Sequence, residues 1–273
     1  EQPPQEQPPQ EQPPQEQPPQ EQPPQEQPPA EIRQGWVTSE SGTQYYIDNV
    51  YVVGEKKIDG YWYYFDANGM MATGWTVQEA KPDKQYYYGA DGKMQYGWLT
   101  LENKTYYFHP SSGVMMKECE RKIDGKYYYF NADGTMATGW TKQAARPDKI
   151  YYYNPDGTMS YGEKKIDGHW YYFHERSGVM QTGWVNHHNH TYYYNPDGTM
   201  YYGEKKENGH WYYFKDRTGV MATGLTKHHN HTYYYNADGT MYYGEKKISG
   251  HWYYFKDRTG VMATGWTKHH GKQ

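Results

Sequence analysis

Two periods run along this chain at once. Within short runs polar and aromatic positions alternate by two, and the runs themselves return about every twenty residues, marked by Gly162, Gly183, Gly203, Gly224, Gly244 and Gly265. In the run His169-Trp170-Tyr171-Tyr172-Phe173 the alternation puts Trp170 and Tyr172 on one face of a strand, Tyr171 and Phe173 on the other. A shorter run, Glu163 to Ile166, precedes it across Asp167-Gly168. Asp-Gly between β-prone runs signals a two-residue type I′ turn, which needs positive φ at both central positions. Asp59-Gly60, Asp124-Gly125, Asn208-Gly209 and Ser249-Gly250 fill the same place. Each unit therefore reads as a β-hairpin.

Looser copies begin at Gly35, Gly54, Gly74, Gly97 and Gly139, with a degenerate start near Glu118. The aromatic runs predict about eleven hairpins, with Gly265-Trp266 opening an unfinished twelfth. A lone two-stranded hairpin is marginal in water. With both faces aromatic, each must stack on its neighbours. The expected fold is all-β, a solenoid stabilised repeat by repeat rather than by one compact core.

The string Gly-Trp, a short spacer, Tyr-Tyr-Phe and then Asp-Gly-x-Met-x-x-Gly-Trp closely resembles the cell-wall-binding repeats of Gram-positive surface proteins and lytic enzymes. These include the choline-binding modules, and the glucan-binding repeats of streptococcal glucosyltransferases are similar. The resemblance covers about residues 31–273. It implies a left-handed superhelix of hairpins with ligand cages at the junctions between them, and attachment to the bacterial envelope as an accessory to another domain.

In the choline-binding version, two tryptophans of one hairpin and an aromatic of the next enclose a quaternary ammonium by cation–π attraction. Here that pair is split. Trp184 holds the Gly-Trp place, but Thr191 stands where the second tryptophan belongs; Trp170 holds the second place, but Glu163 stands in the first. Glu204 with Trp211 and Glu245 with Trp252 repeat the swap, and Leu225 replaces the Gly-Trp tryptophan. Trp36, Trp75, Trp98 and Trp140 also lack the second tryptophan.

A cage assembled across hairpins is one solution, for example Trp170 with Trp184 and Tyr193, closed by Met180. A tryptophan face beside a carboxylate suits a stacked sugar equally. The candidate ligand-binding residues are Trp62, Trp75, Trp140, Trp170, Tyr172, Met180, Trp184, Tyr193, Trp211, Tyr213, Met221, Tyr234, Trp252, Tyr254, Met262 and Trp266. The expected partner is a cell-wall polysaccharide, teichoic-acid choline or an α-glucan. Packing alone is the competing explanation for most of the tyrosines, since buried aromatics dominate core energetics.

Composition sharpens this picture. With 35 Tyr, 10 Trp and 12 Met, the core must be aromatic and thioether rather than aliphatic. Residues 1–30 are EQPPQ repeats with 12 of the 17 prolines, a disordered polyproline-II-like tail that reads as a linker or stalk ahead of the 31–273 repeat domain. All the lysines and arginines follow that tail, and the body is close to neutral, which argues against nucleic acid as partner. No apolar run is long enough for membrane insertion. Glu1 opens directly into the proline repeat, so a leader and further domains are expected upstream, and the product is expected to be secreted and surface-associated. Cys119 alone gives no disulfide framework.

His187-His188-Asn189-His190 recurs as His228-His229-Asn230-His231, and His269-His270 follows near the end. With no cysteine and few nearby carboxylates these read as solvated hairpin tips, with no metal centre expected. Histidines titrating near ~6.5 would strengthen adsorption to anionic walls as pH falls. No cofactor motif appears. The turn aspartates Asp156, Asp197 and Asp238 recur, whereas catalytic carboxylates form a unique pair. The expectation is a multivalent, non-enzymatic binding module. Its alternatives are the targeting region of a wall hydrolase or glucosyltransferase, or a purely structural repeat.

Overall fold

The structure, a computed structural model, describes residues 32–265. The proline-rich tail, Trp266 and His269-His270 lie outside the described residues. Twenty-three strands and no helix make up the described chain. They form eleven separate antiparallel sheets, ten of them two-stranded, each made of consecutive strands; the first sheet adds Val50–Tyr51 as a third strand. The eleven-hairpin expectation holds.

The turns carry the predicted chemistry. Asp167-Gly168 has φ of 48° and 86°, and Asn208-Gly209 has 50° and 83°, as a type I′ turn requires. His188-Asn189 and His229-Asn230 take the same conformation without glycine, at φ 48° and 61° and at 47° and 62°. Two hairpins differ. In those starting at Gly74 and Gly139 the second strand lengthens to eight residues (Lys81–Tyr88 and Arg146–Tyr153), with a register shift that accommodates Pro82 and Pro147. At the degenerate start, Cys119 takes the glycine's place opposite Phe130, with Glu118 ahead of it at φ 48°.

Methionine stitches the hairpins together. The Met180 amide donates to the Ile150 carbonyl of the previous hairpin at 2.8 Å, while Gln181 donates to Tyr172 of its own. The same pattern recurs for Met94 on Trp62, Met115 on Gln85, Met136 on Thr105, Met200 on Trp170 and Met221 on Thr191. Each methionine in turn lies under a glycine of the next linker. Gly178, at φ +68°, is so close to the Met159 sulfur that a Cβ there would overlap it. Only glycine satisfies both the positive φ and the contact.

The core is the last aromatic of every hairpin. Phe65, Tyr88, Phe108, Phe130, Tyr153, Phe173, Tyr194, Phe214, Tyr235 and Phe255 are completely buried. With neighbouring rings and methionines they build separate small clusters along the chain, in place of a single globular core.

Candidate functional site

The Gly-Trp tryptophans face forward, onto the next hairpin. Trp140 pairs across its own hairpin with Tyr152 and meets Tyr171 of the following one, with ring centroids 4.8 Å apart and planes at 66°. Phe173 closes the base at 5.9 Å. Two rings set nearly perpendicular form two walls of a corner. Ile150 and Met180 supply further walls, and Thr141, Lys142 and Asp197 lie at the edge of a cavity of about 340 Å³.

The corner is repeated along the chain. Trp36 meets Tyr63, Trp75 meets Tyr106, Trp98 meets Tyr128 and Trp184 meets Tyr212, at 4.8–4.9 Å and 64–70°. Met71, Met115, Met136 and Met221 hold the place of Met180. These five tryptophans keep 38–43% of their surface exposed, so the indoles are not sealed inside the stack. At Leu225 the indole is missing, with Tyr253 and Met262 in the remaining places.

The corners bear features that favour cations. Lys205 Nζ sits 4.0 Å from the ring centre of Tyr193, and Lys246 Nζ 4.5 Å from that of Tyr234. The faces beside the corners thus already carry cations of the chain itself. At the Trp140 corner, hydrogen bonds from the Thr199 side chain and backbone hold the Asp197 carboxyl below its ordinary range, so a negative charge stands at the rim.

The alternate junctions are built differently. Trp62 lies with Tyr86 and Met94 around a cavity of about 230 Å³, but Glu55 holds the place of the first tryptophan. Lys81 pairs with Glu55 at 2.6 Å, and the Gln78 amide donates to it at 2.7 Å. Burial alone would raise the Glu55 pKa; the bonds from Lys81 and Gln78 outweigh it and bring it below the ordinary value. The Gln143 amide donates to Glu120 at 2.7 Å. In the two later repeats histidine takes the glutamine's place: His187 approaches Glu163 at 3.8 Å and His228 approaches Glu204 at 3.6 Å.

Each of these buried side chains also meets the hydroxyl of the core tyrosine of its own hairpin. Gln78 meets Tyr88 at 2.9 Å, Gln143 meets Tyr153 at 2.8 Å, His187 meets Tyr194 at 3.1 Å and His228 meets Tyr235 at 2.9 Å. Where a tryptophan hairpin precedes instead, the core ring is phenylalanine and the partner position is Ile58, Leu101, Ile123 or Ile166, or Glu207 in one case. Three positions change together, because a carboxylate brought into the stack needs donors there.

His187 and His228 therefore correct the expectation of solvated tips, while His188, His190, His229 and His231 are exposed as expected. His187 is 6% exposed and lies between Tyr172 and Tyr192, with ring centroids at 4.2 and 4.0 Å and nearly parallel planes. Burial, with the neighbouring His188, pushes its pKa down to about 4. Burial also lowers that of His228. His187 therefore stays neutral between pH 7 and 5 and takes no part in the acid-strengthened adsorption expected of the clusters.

Among the predicted residues, Trp75, Trp140, Trp184, Tyr193, Met180 and Met221 lie at tryptophan corners. The combination of Trp170 with Trp184, Tyr193 and Met180 does not form. Met180 bonds backwards to Ile150 and so belongs to the Trp140 corner, and Met221 serves Trp184. Trp62, Trp170 and Trp211 stand at glutamate junctions, and Trp252 is the most exposed indole among the described residues, at 69%. Tyr172 and Tyr213 are buried against His187 and His228 and serve as core. Tyr234 faces the Leu225 place, Met262 lies beside it, and Tyr254 donates to Asp257. Sequence reasoning missed Tyr63, Tyr106, Tyr128, Tyr171 and Tyr212. The signal was available: a forward-facing indole must meet the backward face of the next hairpin, which carries the first tyrosine of Tyr-Tyr-Phe.

Known proteins show the same construction. No curated protein matches in sequence. Among solved structures, CbpJ from Streptococcus pneumoniae is 26% identical, with a TM-score of 0.63 over 86% of this chain and 96% of the other. The choline-binding domain of CbpL from Streptococcus pneumoniae is 31% identical, with a TM-score of 0.52 over 72% of this chain and 99% of the other. Choline-binding protein F from the same species is 23% identical with a TM-score of 0.55, a likeness of fold. The choline-binding repeat matches six times, at residues 52–88, 82–118, 120–159, 148–182, 181–224 and 222–266. With these repeats spanning most of its length, the chain belongs to the choline-binding repeat family and is a cell-wall-binding module.

Proposed function

We propose that the five tryptophan corners at Trp36, Trp75, Trp98, Trp140 and Trp184 each take the quaternary ammonium of a choline carried on a wall polymer. The observation that carries this is the repeated Trp–Tyr geometry, with its half-exposed indole and methionine wall. One indole is fewer than the full cage, so each site is weaker, and affinity comes from number. Linking several weak sites on a polymeric ligand multiplies avidity by about 10²–10⁴. A near-identical series suits this purpose, whereas a catalyst needs one site. The module acts without catalysis and holds a secreted protein at the surface, with any enzymatic activity in another domain.

Stacked sugars are the weaker reading. The carboxylates that would accept from sugar hydroxyls are occupied by Gln78 and Lys81, by Gln143, and by His187 and His228. The test is retention of the chain on choline-agarose, on isolated walls and on dextran, with free choline as competitor. Retention on choline-agarose and walls that choline reverses is the expected result. Retention on dextran alone would overturn the assignment.

A further inference from the structure

The buried histidines have a neighbour that their structural task does not explain. In the four glutamate junctions that lie wholly among the described residues one buried side chain, Gln78, Gln143, His187 or His228, already links the carboxylate to the core tyrosine. In the two histidine junctions alone the next residue is a second histidine, His188 or His229. The other two junctions have Glu79 and Ala144 there. His188 and His229 occupy the first central position of a type I′ turn at φ 48° and 47°, where the comparable hairpins use Asp, Asn, Ser or, once, Glu102. Turn chemistry does not ask for histidine.

Their rings turn inward onto the first histidine. His187 Nδ1 and His188 Nδ1 are 3.3 Å apart, and His228 Nδ1 and His229 Nδ1 are 3.5 Å apart. Glu204 Oε1 lies 3.6 Å from His228 Nδ1. In each cluster one ligand atom from the glutamate and one from each histidine lie within 4.8 Å of one another. Ligands bound tetrahedrally at ~2.0–2.1 Å are separated from each other by about 3.4 Å. The two imidazole nitrogens stand at that spacing and the carboxylate lies somewhat farther out, close enough for one ion to draw in; in the first cluster Glu163 approaches His187 on its Nε2 side, at 3.8 Å.

We propose that Glu163, His187 and His188, and again Glu204, His228 and His229, form two binding sites for a divalent transition-metal ion of the zinc, nickel or copper class. Two imidazoles and a carboxylate suit those ions, with water completing the coordination. The outer nitrogen of the buried histidine is already held: His187 Nε2 meets Tyr194 and His228 Nε2 meets Tyr235, the outer-shell bond that orients a metal-bound imidazole. Stacking between Tyr172 and Tyr192, and between Tyr213 and Tyr233, fixes the ring plane. Glu175 and Asp216 add negative charge nearby. The carboxylate comes from the preceding hairpin, so an ion would clasp successive repeats. Glu245, His269 and His270 repeat the set in sequence, though the two histidines lie outside the described residues.

The test is equilibrium dialysis of the full chain against zinc alone, followed by metal analysis, with His188→Asn and His229→Asn combined in one variant. Asparagine suits the turn, and retention on choline-agarose with an unchanged circular-dichroism spectrum checks the fold independently of metal. The variant is expected to bind two fewer ions per chain than the unaltered protein. Cobalt is expected to give the unaltered protein a visible d–d spectrum that the variant shows more weakly. Equal ion counts for the two proteins, or no zinc retained by either, would overturn the proposal.

Discussion

The amide of Gln143 donates to the hydroxyl of Tyr153 at 2.8 Å in a fully buried position, and the same nitrogen donates to Glu120 of the hairpin before at 2.7 Å. One side chain thereby satisfies a hydroxyl and a carboxylate that the aromatic stack would otherwise strand. Burial outweighs the opposing bond from Gln143 and drives the Tyr153 pKa upward, so its hydroxyl stays protonated.

Replacing Gln143 with leucine is expected to destabilise the chain by about 1–3 kcal/mol, the cost of leaving a buried polar group unpaired. Adding Tyr153→Phe is expected to recover part of that loss, because the stranded hydroxyl goes with it. Urea unfolding of both variants measures the difference. Equal stability of the single variant and the unaltered protein would contradict the role given to Gln143.

Gly178→Ala is expected to cost more than the ~1 kcal/mol of an ordinary conformational change. Two effects add there: φ of +68° and overlap with the Met159 sulfur. Gly168→Ala, at φ +86° with nothing within 4 Å, separates them, since it carries the backbone penalty alone. Thermal melts of the two variants are expected to show the larger loss at Gly178.

The hairpins, their turns and their number were legible in the sequence, because Asp-Gly turns and period-2 aromatic runs are local signals. The site was only half legible. Trp140 and Trp184 stand out by composition, but their partners Tyr171 and Tyr212 depend on which face of a hairpin meets which neighbour. Met180 was assigned one junction too far along because its amide bonds backwards, to Ile150. The histidines read as surface residues since nothing local shows that Glu163 comes within reach of His187. That proximity arises from stacking.

Acid is expected to weaken the fold of chelator-treated protein before it weakens any carboxylate. The pKa of His187 is about 4 when folded, against an ordinary value of 6.5. The unfolded chain therefore binds the proton first as pH falls. The contribution of neutral His187 to stability is full above about pH 6.5, declines between 6.5 and 4, and is lost below about 4. His187→Gln, which copies the Gln78 arrangement, is expected to flatten that slope in urea titrations across this range. An unchanged slope would contradict the buried, neutral assignment.

Leu225 offers a gain-of-function test. Its cross-strand partner Tyr234 is in place, and Thr232 accepts from the Met262 amide as Thr191 does from Met221. Leu225→Trp is expected to restore the corner and add one choline site per chain. Isothermal titration with choline gives the count.

The most direct measurement is the number of cholines bound at saturation by the chain and by a tryptophan series. Five sites are expected, falling by one in Trp140→Ala and by one in Trp184→Ala, while Trp170→Ala, at a glutamate junction, leaves all five. A count that falls with Trp170 and stays unchanged with Trp140 would contradict the assignment of binding to the tryptophan corners.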